Sequence, residues 1–443
     1  MRIKQINLQT VKVEMTFHME QQRSYHLANS GDLDPLMERV GDAHVVLLGE
    51  ASHGTHEYYT WRTAITKRLI TEKGFNFIAV EGDWPDCYKI NRYIKGLDNQ
   101  DKKPAEVLHS FDRWPTWMWA NWEIVSLINW LKAYNAKLLM DQKVGFYGLD
   151  VYSLWESMNT IVSYLEIEDP EAAELAKKAI RCFEPYGEDE HRYARAQFTV
   201  SASCREPLIR LLTHIKKKVT SYDHDPEAAL NTAQNVYIAV NAEAYYTNMT
   251  SFSDKTWNMR DTHMMETLQR LFKFHGAASK AIVWEHNTHI GDARYTDMKK
   301  AGLINVGQLV REVRGEEDVV LVGFGSFQGT VIAGKAWNAP MEVMAVPEGR
   351  KNSLESQLHK ESAANKLLIF EAAHRDESFY TWIAHRAIGV VYHPEREKYG
   401  NYVPTIFNLR YDAFLYIDQT RALHPLHLKP DGHKIPETYP FEY

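Results

Sequence analysis

Cysteine is scarce in this 443-residue chain: three residues, Cys87, Cys182 and Cys204, odd in number and scattered. No CxxC pair and no Cys/His spacing marks structural zinc, and no disulfide framework is visible. The expectation is three thiols in a reducing compartment. Positive charge is not in excess either. The formal net charge is −7, which argues against a general binder of nucleic acid or of anionic membranes. No apolar run approaches the 18 residues of a membrane span. The first 22 residues lack the apolar stretch of a secretory signal. A cytoplasmic location is therefore expected, with Met15 and Met19 as candidate starts. HExxH and GxSxG are both missing, so neither a zincin helix nor a nucleophile elbow is indicated.

What remains is a globular composition, 44% hydrophobic and 25% charged. Short apolar runs punctuate it: AHVVLLGE (43–50), FNFIAVEG (75–82), VGFYGLD (144–150), KAIVWEH (280–286), DVVLVGFG (318–325), AIGVVYH (387–393) and AFLYID (413–418). Most lack alternation, as expected of strands covered on both faces. Helical periodicity fills 56–74 and 121–137 between the early runs, so βαβ units in a largely parallel sheet are expected. Residues 320–337 read as a hairpin. The interval 151–279 reads as a helical insertion, with Asp169-Pro170 and Asp225-Pro226 as helix starts. The expected organisation is an α/β core in two parts, 24–150 and 280–425, split by that insertion. An N-terminal extension (1–23) and a C-terminal tail (426–443) flank it.

The charged residues fall at the ends of the apolar runs. The first run ends in Glu50 and His53, the second in Glu81, the third in Asp150 and the fourth in His286 and His289. Ligands of open parallel sheets bind beyond the carboxyl ends of the strands. One such residue is ordinarily a helix cap; four successive ends of this kind point to a site. Gly49 and Gly54 are read as allowing a tight turn around Glu50 and His53.

Three chemistries suit the set. A histidine can activate water if a carboxylate fixes its tautomer, and His53 with Glu50 or Glu81 is such a pair. Arg62, early on the next helix, is then a candidate for binding an oxyanion or substrate carbonyl. Alternatively, Glu50, His53, His286 and His289 ligate a metal, though the spacing is generic. Covalent catalysis has little support, since neither Ser52, Ser326 nor Cys87 sits in the context of a nucleophile. The tryptophan-rich stretch 111–123, with Trp117 and Trp119, is a candidate pocket floor. Arg260 and Asp261 close a tyrosine-rich segment that can face the site from the insertion.

The motifs GEASHGTHEYYTWR, VEGDWPD, YGLDVYSL, NMRD and WEHNTHIGD, in that order and spacing, resemble those of the erythromycin esterase family over about residues 24 to 425. The resemblance implies an α/β core with a helical insertion and a cleft between them. It also implies hydrolysis of a carboxylic ester by histidine-activated water, with no covalent intermediate, no obligatory metal and no other cofactor. His53 then matches the general base, with Glu50, Glu81, Arg62, His286 and His289 as the rest of the catalytic set. Asp150, Arg260, Trp117 and Trp119 are expected to contact substrate. The implied partner is a small-molecule ester, a macrolide lactone being one case. More distant relatives of the fold include haem-binding proteins, which keeps a non-catalytic binding role as the alternative from another class.

Overall fold

A computed structural model describes residues 22–438 apart from residue 99 and residues 188–189, 197–202, 219–226, 250–254 and 371–380. The candidate starts Met15 and Met19 and the Asp225-Pro226 pair lie outside the described residues. Among the described residues there are eleven strands: β1 (Gln22–His26), β2 (Val45–Leu48), β3 (Phe77–Val80), β4 (Gly145–Gly148), β5 (Ala281–Trp284), β6 (Val319–Gly334), β7 (Met341–Val346), β8 (Lys366–Phe370), β9 (Ile383–Arg386), β10 (Tyr402–Thr405) and β11 (Ala413–Thr420). Nine form one sheet in the order β1-β8-β11-β6-β2-β5-β3-β4, with β7 beside the far end of β6. From β11 to β4 every neighbouring pair is parallel; β1, β8 and β7 add antiparallel edges.

The central strands lack alternation because both faces are covered. Val46 and Leu48 of β2 join one apolar cluster and Val45 and Leu47 the other. Their register matters for function. Leu48 is paired with Trp284, Trp284 with Val80, and Val80 with Gly148, so the four strands end in one row. Glu50, Glu81, Asp150 and Glu285 therefore emerge side by side, one or two residues beyond that row.

Helix His56–Lys73 stops at Gly74, whose φ of 72° is the left-handed conformation glycine adopts without strain. Asp169 caps helix Pro170–Phe183, accepting from the Ala172 N–H at 3.2 Å. The five helices between Leu154 and Met249 have an apolar cluster of their own. Helix Lys255–His275 instead packs Met264, Leu268 and Leu271 against the sheet cluster. The unit with a separate core is thus narrower than 151–279. The C-terminal segment crosses between the two bodies. Leu426 N–H donates to Ala120 O at 2.8 Å, Glu437 N–H donates to Trp114 O at 2.8 Å, and Ile435 is buried in the helical cluster.

Three expectations are corrected. Residues 320–337 are not a self-contained hairpin: β6 runs unbroken to Gly334, and its antiparallel partner is β7. Residues 387–393 form no strand, because β9 ends at Arg386 and only isolated bridges at Ile388 and Val391 follow. Cys182 and Cys204 are joined by a disulfide, at the end of one helix and just before another, which packing brings to a Cα separation of 5.7 Å. Cys87 is the one free, buried thiol. Among the described residues no helix is long and apolar enough to cross a membrane.

Unfolding in denaturant without reductant should expose one titratable thiol per chain, and reduction should raise the count to three. A Cys182→Ser variant, closing no 22-residue loop, should lose about 3 kcal/mol of stability in urea melts of the helical unit.

Candidate active site

The turn after β2 carries Glu50 and His53. It is held by Gly49 and Gly54 for a reason other than left-handed backbone, since neither has positive φ. A Cβ at Gly49 would lie 2.1 Å from Asn287 Oδ1, and one at Gly54 would lie 2.0 Å from Ile332 O. Close approach of chains excludes a side chain at both. Asn287 in turn donates its own N–H to Glu50 O at 2.8 Å and its side-chain amide to Phe324 O at 2.6 Å. Asn287 thus laces the ends of β2, β5 and β6 together.

Glu50 is shared. Its Oε1 meets His53 Nδ1 at 2.9 Å, and its Oε2 accepts from Arg62 Nη2 at 2.6 Å. Arg62 lies between the rings of Tyr59 and Trp284, 4.3 and 4.6 Å from their centroids. A carboxylate paired with a guanidinium only accepts hydrogen bonds, so His53 donates through Nδ1–H and its Nε2 bears the lone pair. That Nε2 is buried and has no protein partner.

His286 faces it, with 4.9 Å between ring centroids. Its Nδ1 lies 2.8 Å from Thr288 Oγ1 and accepts from Thr288 N–H at 3.3 Å. Its hydrogen therefore sits on Nε2, which is also buried without a partner. Burial first, then the neighbouring His53, pushes this imidazole well below its ordinary pKa, so it is neutral near pH 7. One ring offers a lone pair and the other an N–H.

Behind this pair lies a closed ionic network. Arg260, from helix Lys255–His275, donates to Asp150 through Nε at 3.0 Å and Nη2 at 2.6 Å, and to Glu81 Oε1 at 2.8 Å. Its Nη1 meets His289 Nε2 at 3.0 Å. His289 turns Nδ1 to Asp261 at 2.9 Å and stacks on Trp257. The second oxygen of Glu81 accepts from His286 N–H at 2.8 Å. Burial works against the Glu81 charge. The Arg260 guanidinium and the His286 N–H overcome it and hold the carboxyl well below the usual range.

Several expectations change in detail. Arg62 binds Glu50 and is enclosed by aromatic rings, so it orients the His53 partner and does not face a substrate carbonyl. Asp150 and Arg260 are bonded to each other, and Arg260 also to Glu81 and His289. Trp117 and Trp119 belong to the main apolar core, where Trp119 Nε1 donates to Glu81 O at 3.0 Å. They brace the end of β3 and do not floor a pocket. Glu50 and His53 bond each other, while His286 and His289 turn their Nδ1 atoms to Thr288 and Asp261, so the four are not gathered as one donor set. Among the described residues, sets of donors close enough to hold a metal occur at other places.

The sequence reading missed a second group of acids. Glu285 is buried with neither oxygen partnered, and burial followed by the charges of Glu81 and Asp261 raises its pKa well above the usual range. Asp83 accepts from Arg113 Nε at 2.7 Å yet is pushed up to about 7 by burial, against the pull of Arg113. Glu437, from the C-terminal segment, is raised in the same way beside Asp83. Asp83 stood within VEGDWPD and Glu285 within WEHNTH, so both were visible. Nothing in the sequence pointed to Glu437.

The erythromycin esterase family model matches residues 70–420. Glu50, His53 and Arg62 precede that match, and the other site residues on strand ends fall within it. The chain is 24% identical to erythromycin esterase type II of Escherichia coli over 324 residues, covering 69% of this chain and 74% of that protein. A crystal structure of a succinoglycan biosynthesis protein shares the fold, with TM-score 0.71 at 20% identity over 90% of this chain and 95% of that one. So does a mutant of the erythromycin esterase EreC in its open conformation, with TM-score 0.67 at 16% identity over 90% and 98% of the two chains.

Two outcomes follow for stability. Asp83 keeps its proton in the fold between its ordinary 3.8 and about 7, where the unfolded chain has lost it. The unfolded state binds fewer protons in that window, so stability falls as pH rises through it. Asp83→Asn should flatten this slope in urea melts taken from pH 4 to pH 8. Gly49→Ala should cost about 2 kcal/mol, as expected for overpacking against Asn287.

Proposed function

The chain belongs to the erythromycin esterase family, and from that premise we propose that it is a hydrolase cleaving a carboxylic ester with water activated by His53. The observation that carries this reading is the opposed pair of buried, unpartnered nitrogens, His53 Nε2 and His286 Nε2. A water between the strand ends gives its proton to His53 Nε2 while its oxygen attacks the carbonyl carbon. The imidazolium that forms is stabilised by Glu50, whose charge Arg62 maintains. His286 Nε2–H donates to the oxyanion of the tetrahedral intermediate. Collapse breaks the bond to the alkoxy oxygen, which takes the proton from His53. An acid and an alcohol leave, and no acyl-enzyme forms.

Glu81, Arg260, Asp150, His289 and Asp261 act on this scheme as positioning residues. They fix the His286 backbone and the β3 and β4 ends without touching substrate. The pair is closed to solvent, His53 being 1% and His286 0% exposed. Admission of an ester therefore requires the helical unit to swing from the sheet edge, a movement consistent with a relative known in an open conformation. A cavity of about 510 Å³ between Trp155, Glu156 and Arg192 of that unit and Lys434 of the C-terminal segment is the approach this reading favours. Glu156 bonds Arg113, which bonds Asp83, so the cavity wall leads directly to the site.

Aryl esters and macrolides assayed with wild type and His53→Ala test the proposal. A loss of about 100-fold or more in kcat is expected for removal of a general base. Equal rates for the two proteins on every hydrolysed substrate would sink it. Glu50→Gln should lower kcat with little change in KM, and a burst of alcohol in the first turnover would instead require a covalent intermediate.

A further inference from the structure

Outside the candidate active site, two imidazoles converge on one buried carboxylate. Glu123 lies in the first turn of helix Trp122–Asn135 and His56 opens helix His56–Lys73. His424 comes from the C-terminal segment. His56 Nδ1 and His424 Nδ1 both approach Glu123 Oε1, at 2.6 and 2.7 Å, and the two rings stand edge to face at 5.1 Å. The three donors lie within 4.8 Å of one another. Glu123 is almost wholly buried, and its ion-pair partners among the described residues are these two imidazoles alone. A neutral imidazole brings no charge to offset a buried carboxylate, whereas a divalent cation does.

We propose that His56, Glu123 and His424 form a zinc site that clamps the C-terminal segment to the core. Two imidazole nitrogens and one carboxylate oxygen are the donor set that suits a borderline cation such as Zn²⁺, with water in the fourth position. Ligands of a tetrahedral zinc stand about 3.4 Å apart, from bond lengths of about 2.1 Å. The present contacts are of hydrogen-bond length, so an ion needs an opening of under about 1 Å at each. The His424 side chain is 60% exposed. Each imidazole then shifts its hydrogen from Nδ1 to Nε2 and presents the Nδ1 lone pair.

The position gives the ion a task. His56 N–H donates to Arg421 O at 2.8 Å, Trp122 N–H donates to His424 O at 2.9 Å, and Leu423 N–H donates to Gly54 O at 3.0 Å. The same segment continues to Ile435, whose carbonyl accepts from Arg113 at 2.7 Å, beside Asp83. A cation at the trio fastens the root of the segment that reaches the candidate active site, on the outer side of the loop that carries His53.

The test uses full-length protein stripped with chelator, in a His214→Ala background that removes the other trio of donors, Asp169, Glu171 and His214. Equilibrium dialysis against Zn²⁺ should give one tightly bound equivalent per chain. Further substitution with His424→Ala, at an exposed ring, should abolish it. Zinc should raise Tm by several degrees in the first protein and leave the second unchanged. Co²⁺ in place of zinc should show the visible bands of a tetrahedral site only where His424 is present. Equal zinc content in the two proteins, or equal Tm shifts, would overturn the proposal.

Discussion

Two buried arginines hold the carboxyl edge of the sheet together, and most of what the site can do depends on them. Desolvating a guanidinium costs several kcal/mol and is offset only when its donors meet well-placed acceptors. Arg260 meets Asp150, Glu81 and His289. Arg62 meets Glu50 and two aromatic faces. Each arginine therefore fixes the carboxylate that fixes an imidazole: Arg62 through Glu50 to His53, and Arg260 through Glu81 to the backbone of His286. The parallel register makes this possible, because four strands ending in one row present their next residues within reach of a single side chain.

The acidic and imidazole members were legible because each stands immediately after an apolar run, where strand geometry leaves little choice of destination. Asp150 and Arg260 were legible as site residues but not as partners of each other. The sequence separates them by 110 positions, and only the packing of the last long helix on the sheet joins them. Arg62 was seen, and its direction was not, since a helix position does not say which neighbour a long side chain will find. The tryptophans misled for a plainer reason. Aromatic density is the same whether rings line a pocket or fill a core, and Trp117 and Trp119 fill a core. Glycines misled at both Gly49 and Gly54, where closeness of neighbouring chains and not handedness of the backbone excludes a Cβ.

The disulfide and the run of β6 were hidden by distance of another kind. Cys182 and Cys204 are 22 residues apart and meet only because two helices of the insertion pack together. In β6 the glycines at 323, 325 and 329 suggested a turn. Each instead makes room: a Cβ at Gly325 would lie 2.7 Å from Phe414, and one at Gly329 would lie 2.1 Å from Thr420 O. β11 pairs with the strand in parallel from Val322 to Gly329.

Buried polar atoms are nearly always paired in folded proteins; the exceptions here are spread through the described residues, and six of them stand at or beside one edge of the sheet. His53 Nε2, His286 Nε2, both oxygens of Glu285, Asp83 Oδ1 and Glu437 Oε2 have no protein partner, and all belong to the sheet's carboxyl edge or to the segment packed on it. The acids among them are pushed toward their neutral forms by burial, so they carry hydrogen bonds to give as well as to receive. The paired arginines supply rigidity and the unpaired groups supply capacity. An edge that ties down its charges and leaves lone pairs and N–H groups uncommitted has donors and acceptors to offer polar atoms from outside the chain.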